Sequence, residues 1–202
     1  MTPTPPRTHA AAGPAPAAGG IEMIKFDRVF SMPNKNTFTI KPIKYLIDSV
    51  FIKKGLMKEC ISCDPFVNDS PFKERCQLTN DLNPDILATS HEDALSFLQK
   101  TQSNYVDVLL FDPPYSPRQV SECYKRLGKS VNMQTTQSSY WGNLKKEISR
   151  VVAKNGIVVT CGWNSGGIGK ENGFTIEEVL IVPHGGWHND TIVTVEIKEP
   201  NV

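Results

Sequence analysis

The stretch F-D-P-P-Y at residues 111–115 combines the side chains of this sequence that are best suited to chemistry. It places a carboxylate, two prolines and an aromatic ring directly after the apolar run V-D-V-L-L. A strand that leads into a hairpin or a helix needs none of these residue types. A site that holds a flat ring with an amino group can use all of them, because carboxylates accept hydrogen bonds and aromatic faces stack on rings. The alternative is a proline-rich turn in which Asp112 caps the next segment.

Acidic residues follow other apolar segments of the chain. Asp64 and Asp81 come at the ends of two short strand-like runs, and Asp93 lies near the start of a predicted helix. Ligands of open α/β sheets bind outside the carboxyl ends of the parallel strands. We therefore expect these three acids and Asp112 to lie at one edge of a sheet.

Helices are among the elements that must position these residues. Apolar residues at helical spacing predict helices at 42–54, at 91–100 and at 143–154. Ser90 is the expected N-cap of the second helix, and Gly156 is the expected C-terminal cap of the third.

Strands alternate with these helices. Short apolar runs predict strands at 59–66, 76–82, 105–111 and 157–161. The last third is β-rich, with E-E-V-L-I-V, a Gly-Gly turn region and T-I-V-T-V-E-I-K. This order predicts an α/β protein with a mostly parallel sheet and a C-terminal antiparallel hairpin.

D-P-P-Y at the end of a strand resembles the catalytic signature of S-adenosylmethionine-dependent amino-methyltransferases, which modify N6 of adenine or N4 of cytosine in DNA. An exocyclic amine is a poor nucleophile because its lone pair is delocalised into the ring. The resemblance implies that the carboxylate of Asp112 and the carbonyl of Pro113 accept from the two N–H groups and free that lone pair. Pro113 and Pro114 restrict the backbone that holds these acceptors, and Tyr115 offers a face on which an extruded base stacks.

Two upstream segments resemble cofactor motifs of the same family. C-D-P-F at 63–66 is similar to the D-P-F opening of its first motif, which implies that Asp64, Pro65 and Phe66 meet the methionine end of S-adenosyl-L-methionine. The family usually continues with a Gly-rich turn, whereas this chain reads V-N-D-S-P-F. Asp81 comes seventeen residues after Asp64, about the distance at which an acid on the second strand reaches ribose hydroxyls.

Two further segments complete the implied cofactor site. H-E-D-A-L at 91–95 resembles the third cofactor motif, in which Asp93 accepts from the adenine amino group of the cofactor. The alternative for Asp93 is a carboxylate favoured by the dipole of a helix start. T-F-T-I-K-P-I-K at 37–44 is similar to the N-terminal cofactor segment and implies Lys41 as a partner of the methionine carboxylate. The resemblance also places Asp112 beside the cofactor, because the methyl group passes in line from the cofactor's sulfur to the amine that Asp112 holds.

The matched motifs cover residues 31 to about 165. They imply a Rossmann-like class I methyltransferase fold with a seven-stranded sheet and helices on both faces. Asp64 precedes Asp112 by 48 positions, the motif order of adenine-specific enzymes, and Asp in place of Asn points to a nucleobase rather than to a protein glutamine. We therefore expect a DNA adenine-N6 methyltransferase. The alternatives are an RNA base-amine methyltransferase and a catalytically silent binding subunit that keeps the fold.

The segment after the D-P-P-Y motif is the candidate contact for nucleic acid. Arg118, Lys125, Arg126 and Lys129 stand there against a single acid, Glu122. Phosphate contacts of such side chains give position and salt dependence rather than sequence choice. The polar stretch up to residue 139 predicts either a mobile loop that closes over the substrate or a solvated surface helix.

Length and composition limit what else the chain can be. Its 202 residues carry a formal net charge of +1, so no global attraction to nucleic acid is expected. The first twenty residues are rich in Ala, Pro and Gly and predict a disordered tail or linker at 1–20. Residues 21–202 fit one methyltransferase domain without a separate target-recognition domain. We therefore expect the recognised sequence to be short or relaxed, or the specificity to be supplied by a partner or a second subunit.

Cysteines and histidines predict no metal site. Cys60 and Cys63 form C-x-x-C, but no fourth ligand follows Cys76 at zinc spacing. His184 and His188 in P-H-G-G-W-H have the spacing of metal ligands, yet the glycines between them favour a hairpin loop, one that could face DNA.

Five cysteines without a secretory signal, and no apolar run of membrane-spanning length, favour a cytoplasmic protein of a bacterium or a phage host.

Overall fold

The structure of the protein, a computed structural model, describes residues 23–54, 60–126, 128 and 138–200. Strands and α-helices alternate through these residues. The strands are β1 (Lys25–Arg28), β2 (Ser62–Asp64), β3 (Leu78–Thr79), β4 (Val106–Phe111), β5 (Val152–Gly162), β6 (Phe174–Val182) and β7 (Thr191–Lys198). The helices are α1 (Lys41–Lys53), α2 (Ala94–Lys100), α3 (Pro117–Arg126) and α4 (Ser138–Val151).

These strands form one seven-stranded sheet in the order β1-β6-β7-β5-β4-β2-β3. β4 pairs in parallel with β2 and β5, β2 pairs in parallel with β3, and β1 pairs in parallel with β6. β7 is antiparallel to both of its neighbours, β5 and β6, and forms the predicted C-terminal hairpin with β6. The predicted α/β fold with mostly parallel strands is therefore confirmed. Every strand except β7 points its C-terminal end to the same edge of the sheet, which we call the carboxyl edge.

Helices cover both faces of the sheet, as predicted. Ile47 of α1 and Leu110 of β4 belong to one buried cluster. Leu98 of α2, Ile148 of α4 and Leu109 of β4 belong to the cluster on the opposite face. β4 contributes to both clusters because successive side chains of a strand point to opposite faces. Its burial on both sides explains why its sequence is an almost uninterrupted apolar run.

Helix α2 starts later than predicted and has a different cap. It begins at Ala94, and Asp93 is its N-cap, because Asp93 Oδ1 accepts from two backbone N–H groups of the first turn at 3.0 and 3.4 Å. The prediction of Ser90 as the cap is wrong. Ser90 forms a parallel β-bridge with Asn80, which keeps the backbone before the helix extended beside the end of β3.

The border between α4 and β5 also differs from the prediction. Residues 152–154 are the start of β5 rather than the end of the helix. Gly156 lies inside β5 and is not a helix cap. A Cβ at Gly156 would come within 2.6 Å of Val152 Cγ1 and 2.7 Å of the Ala153 carbonyl oxygen. The bend at the start of this strand therefore requires glycine.

The segment after the D-P-P-Y motif contains helix α3, which agrees with the surface-helix interpretation of residues 117–126. Most of the remaining stretch up to residue 137 lies outside the described residues, and so does the tail predicted at 1–20. Within the described ranges, no helix has the length and hydrophobicity needed to cross a bilayer.

Candidate active site

A cavity of about 530 Å³ opens at the carboxyl edge of the sheet. Its walls come from the segments that follow β2, β3 and β4, from the start of α2, and from α3 and α4. The volume falls in the range of about 300–1,000 Å³ that is typical of small-molecule sites. The predicted site residues that line it are Pro65, Phe66, Asp81, Asp93, Asp112, Pro113, Pro114 and Tyr115.

The D-P-P-Y motif forms one wall of this cavity. The Tyr115 hydroxyl donates a hydrogen bond to Oδ1 of Asp112. The Tyr115 ring contacts the ring of Trp163 edge-on, with centroids 5.7 Å apart and planes inclined by 66°. Trp163 follows β5 directly, so two adjacent strands supply this pair. The motif thus holds its carboxylate through the hydroxyl of Tyr115 and its aromatic ring through Trp163.

The carboxyl group of Asp112 lies in an environment that opposes negative charge. Burial raises the pKa of Asp112, and the hydroxyl groups of Tyr115 and Thr37 lower it in part. Burial and the nearby Asp112 raise the pKa of Tyr115, so Tyr115 stays a neutral phenol that donates. Asp112 is therefore an acceptor whose charge depends on two neighbouring hydroxyl groups.

Two polar residues after the motif position it, and the sequence analysis missed both. Gln119 Oε1 accepts from the backbone N–H of Tyr115 at 2.6 Å. Ser116 Oγ accepts from the backbone N–H of Gln119 at 3.2 Å, which caps the first turn of α3. A signal was present in the stretch S-P-R-Q, because serine followed by proline is typical of a helix start.

Asp64 ends β2 and is fully buried. Its Oδ1 accepts from the backbone N–H of Phe66 at 3.1 Å, and the hydroxyl of Ser70 lowers its pKa in part, but Oδ2 has no partner within hydrogen-bond distance in the described part of the chain. Burial, together with the charges of Asp112 and Asp81, raises the pKa of Asp64 to about 8. A buried polar atom without a partner calls for an explanation, such as a ligand or a bound proton.

Two residues after β3, Asn80 and Asp81, hold the loops around the cavity. The carboxylate of Asp81 accepts from the backbone N–H groups of Asn68 at 3.0 Å and Asn83 at 2.8 Å. The buried side chain of Asn80 donates to carbonyl oxygens of the loops after β2 and before α2, at 3.2 and 3.0 Å. Asn80, which directly precedes Asp81, is thus a further polar residue of this edge, and it was not predicted from the sequence.

Asp93 joins three helices at the cavity. Besides capping α2 with Oδ1, it accepts through Oδ2 from the hydroxyl groups of Tyr124 in α3 at 3.0 Å and Tyr140 in α4 at 2.8 Å. Burial, with Asp93 nearby, raises the pKa of both tyrosines and keeps them protonated. The helix-start interpretation of Asp93 therefore describes its contacts, and its contact with a cofactor stays a prediction.

The N-terminal segment reaches the cavity through residues other than Lys41. Lys41 is the exposed first residue of α1 and does not line the cavity. Lys35, Asn36 and Thr37, which precede it, do line the cavity. Since Thr37 also interacts with Asp112, this segment meets the D-P-P-Y motif through a hydroxyl rather than an ammonium group.

The predicted phosphate-binding residues lie on α3 as far as the structure describes them. Arg118 Nε pairs with Glu122 Oε1 at 2.8 Å, and both side chains are exposed. Lys125 is exposed near the end of the helix, and Arg126 is its last residue. Lys129 lies outside the described residues. An exposed ion pair contributes little to stability, so Arg118 can exchange Glu122 for a phosphate at small cost.

No protein-family model matches the chain, and no curated protein sequence matches it. Among solved structures, a candidate methylase from Haemophilus influenzae has a TM-score of 0.50 and 9% identity, over 79% of this chain and 98% of that one.

Two N-methyltransferases are also similar in structure. NodS from Bradyrhizobium japonicum has a TM-score of 0.50 and 11% identity, over 78% of this chain and 97% of its own. The 1,6-didemethyltoxoflavin-N1-methyltransferase of Burkholderia thailandensis, crystallised with S-adenosylhomocysteine, has a TM-score of 0.48 and 10% identity, over 76% of this chain and 77% of its own. The strand order and the first two matches agree, and the chain has the Rossmann-like fold of class I methyltransferases.

Proposed function

We propose that this protein transfers a methyl group from S-adenosyl-L-methionine to N6 of adenine in DNA. The observation that carries the proposal is that the D-P-P-Y motif lines the same cavity as Asp81 and Asp93, at the carboxyl edge of a methyltransferase fold. The amine acceptor and the candidate cofactor acids therefore share one space. A D-P-P-Y turn with only a structural role would have no reason to border that space.

Asp112 acts on the substrate amine in this proposal. A carboxylate has about four acceptor positions, so Asp112 can accept from Tyr115 and from the amine at once. The carbonyl of Pro113 accepts the second N–H, and the amine nitrogen becomes more tetrahedral and more nucleophilic. Methyl transfer would form the C–N bond, break the C–S bond and leave S-adenosylhomocysteine, and the proton that the amine gives up would pass to Asp112. The raised pKa of Asp112 makes its carboxylate a better proton acceptor than an exposed one.

The residues around the cavity suit a cationic nucleoside cofactor. Such a cofactor supplies an electrophilic methyl group on a positively charged sulfur. Asp64 and Asp112 lie near enough to interact electrostatically, and a cation between them would lower the pKa of both carboxyls. The carboxylate of Asp81 lines the cavity and has remaining acceptor positions for ribose hydroxyls. Asp64 is fully buried and does not line the cavity, but the adjoining Pro65 and Phe66 do, and we assign them to the methionine end.

Two features of the motif support adenine as the target base. The motif begins with Asp112, whereas many of the cytosine-N4 enzymes that this chain resembles carry serine at that position. The segments that resemble cofactor motifs come before it in the chain, which is the order of the adenine-specific enzymes. The ring of Tyr115, held edge-on by Trp163, offers the stacking face for a base that has left the duplex.

Mass spectrometry of nucleosides tests this proposal. Duplex DNA and RNA are incubated separately with the protein and methyl-labelled cofactor, digested, and separated. We expect labelled N6-methyladenine from DNA with the wild-type protein and none with Asp112→Asn.

Each other outcome points to a different function. Label found only in N4-methylcytosine would show that cytosine is the target base. Label found only in RNA would show that RNA is the substrate. Absence of label from both polymers, together with no cofactor binding by calorimetry, would instead support a silent binding subunit that keeps the fold and has lost cofactor affinity.

A further inference from the structure

Exposed aromatic side chains continue along the carboxyl edge beyond the D-P-P-Y motif. They are Trp163 after β5, Trp187 in the loop between β6 and β7, and Phe30 after β1, and we call them the edge aromatics. Their exposed fractions are 43%, 103% and 61%. In the strand order they lie on the β5 side of β4, whereas Asp64 and Asp81 follow strands on its other side. The cofactor acids and the edge aromatics thus occupy opposite halves of one edge.

The loop that carries Trp187 is held at both ends by a buried histidine. His184 is 6% exposed. Its Nδ1 donates to the backbone carbonyl of Ser31 at 2.8 Å, and its Nε2 accepts from the Thr191 hydroxyl at 2.8 Å. The first bond ties the loop to the segment after β1, and the second ties it to the start of β7. The loop therefore has a fixed position relative to the sheet.

Two glycines in this loop leave Trp187 in solvent. Gly185 and Gly186 have φ angles of 72° and 58°, in the left-handed region that favours glycine. A Cβ on Gly185 would come within 3.3 Å of the Phe30 ring, so glycine also lets the backbone lie close to that ring. A fully exposed indole contributes nothing to the core. Because its loop is anchored, this indole is available for contact with another molecule.

We propose that the edge aromatics bind bases of the polynucleotide strand that flanks the target base. This inference rests on the proposed function. Trp163 contacts the ring of Tyr115, so the edge aromatics begin beside the stacking face for the target base. The segment 29–41, which leads from β1 to the cavity, contains Lys35 and Lys41 and no acidic residue, as suits a polyanion. Aromatic side chains take stacked bases with little regard to sequence.

The spacing of the strands gives the reach of this surface. Neighbouring strands lie about 4.8 Å apart, so the four steps from β4 to β1 span about 19 Å. At about 3.4 Å of rise per nucleotide, that length accommodates about five stacked nucleotides. The surface is therefore long enough to hold a short single-stranded stretch next to an extruded base.

The experiment measures DNA binding by fluorescence anisotropy with short labelled strands, single and duplex, and protein saturated with S-adenosylhomocysteine. It compares the wild type with Trp187→Ala, with Trp187→Phe, which keeps an aromatic face, and with Ile52→Ala as a matched control. Ile52 is 68% exposed near the end of α1, and Lys54 beside it bonds to Asn155 at the opposite edge of the sheet.

We expect Trp187→Ala to weaken DNA binding by about 5- to 150-fold, the range that corresponds to about 1–3 kcal/mol for one stacked base. Trp187→Phe should retain most of the affinity, and Ile52→Ala should retain all of it. Because Trp187 lies outside the cavity, affinity for S-adenosylhomocysteine should be the same in all four proteins.

Equal DNA affinity in Trp187→Ala and the wild type would overturn the inference and leave the proposed function standing. A wild-type dimer that dissociates in Trp187→Ala, with DNA affinity unchanged, would also overturn it, because the surface would then bind a second copy. Failure of the wild type to bind or methylate DNA would reject the proposed function itself, and the inference with it.

Discussion

The hydroxyl of Tyr115 donates a hydrogen bond to Oδ1 of Asp112, which joins the first and last residues of the D-P-P-Y motif. The two prolines between them restrict the backbone, so the carboxylate and the ring are held as one unit. Burial raises the pKa of Asp112, and the hydrogen bond from Tyr115 lowers it in part. The motif thus supplies its own control over the charge of the Asp112 carboxylate.

Replacement of Asp112 should stop catalysis and spare the cofactor site. We expect Asp112→Ala and Asp112→Asn to lower the single-turnover rate of methyl transfer by about 100-fold or more, because the acceptor for the amine proton is lost. Cofactor affinity, measured by calorimetry, should largely survive in both variants. Turnover close to that of the wild type would show that Asp112 has no catalytic role.

Tyr115→Phe should change the pH dependence of the reaction. The variant keeps the ring and loses the hydroxyl that lowers the pKa of Asp112, so that pKa rises. Protonated Asp112 accepts poorly from the amine. The acidic limb of the pH–rate profile should therefore move to higher pH, with activity retained on the alkaline side. An unmoved limb would contradict the assigned hydrogen bond.

Tyr115→Ala serves as the comparison for this variant. It removes both the ring and the hydroxyl, and the stacking face is worth about 1–3 kcal/mol per base. We expect most of the activity to be lost across the whole pH range, in contrast to the shifted profile of Tyr115→Phe.

Asp64 should make the folded protein less stable as the pH rises. The pKa of Asp64 is about 8 in the folded state and near 3.8 in the unfolded state, so the folded state binds the proton more tightly. Below pH 3.8 both states are protonated and the effect vanishes. Between the two values the free energy of unfolding should fall by about 1.4 kcal/mol per pH unit from this group. Urea titrations of Asp64→Asn should lack this slope; an identical slope would contradict the buried protonated carboxyl.

Asp93→Ala should lower both stability and cofactor affinity. Loss of the N-cap of α2 costs about 0.5–2 kcal/mol, and the hydroxyl groups of Tyr124 and Tyr140 lose their acceptor. Thermal unfolding should show a lower Tm for Asp93→Ala than for the wild type. The Tm of Asp93→Asn, which keeps one oxygen acceptor, should fall less.

If Asp93 also accepts from the cofactor, calorimetry of Asp93→Ala should show a loss of cofactor binding free energy of about 1.5–3 kcal/mol, as for Asp81→Ala. Unchanged cofactor affinity in both alanine variants would reject this cofactor site.

The sequence predicted the central strands and the positions of the acids well. Residues 106–111 are apolar on both faces except at Asp107, because β4 lies between two buried clusters, and such a run shows directly in the sequence. The helix borders were less predictable. Ser90 and Asp93 are both acceptable caps by residue type, and only the bridge from Ser90 to Asn80 decides between them.

The contacts that organise the site could not be predicted from local patterns. Tyr124 and Tyr140 meet Asp93 across 31 and 47 positions of the chain. Thr37 meets Asp112 from a segment that precedes α1. Periodicity reports which face of an element is buried, and it carries no information about which distant side chains meet.

The pairing of β1 with β6 has a consequence for how the chain folds. Lys25 of β1 contacts Glu178 of β6 across 153 positions, so β1 has no place to dock until β6 exists. Contacts so distant in sequence form slowly because a long loop must close first. At a synthesis rate of about 5–20 residues per second, those 153 positions take about 8–30 s to make. β1 is thus made early and secured late, and it has no partner strand in the meantime.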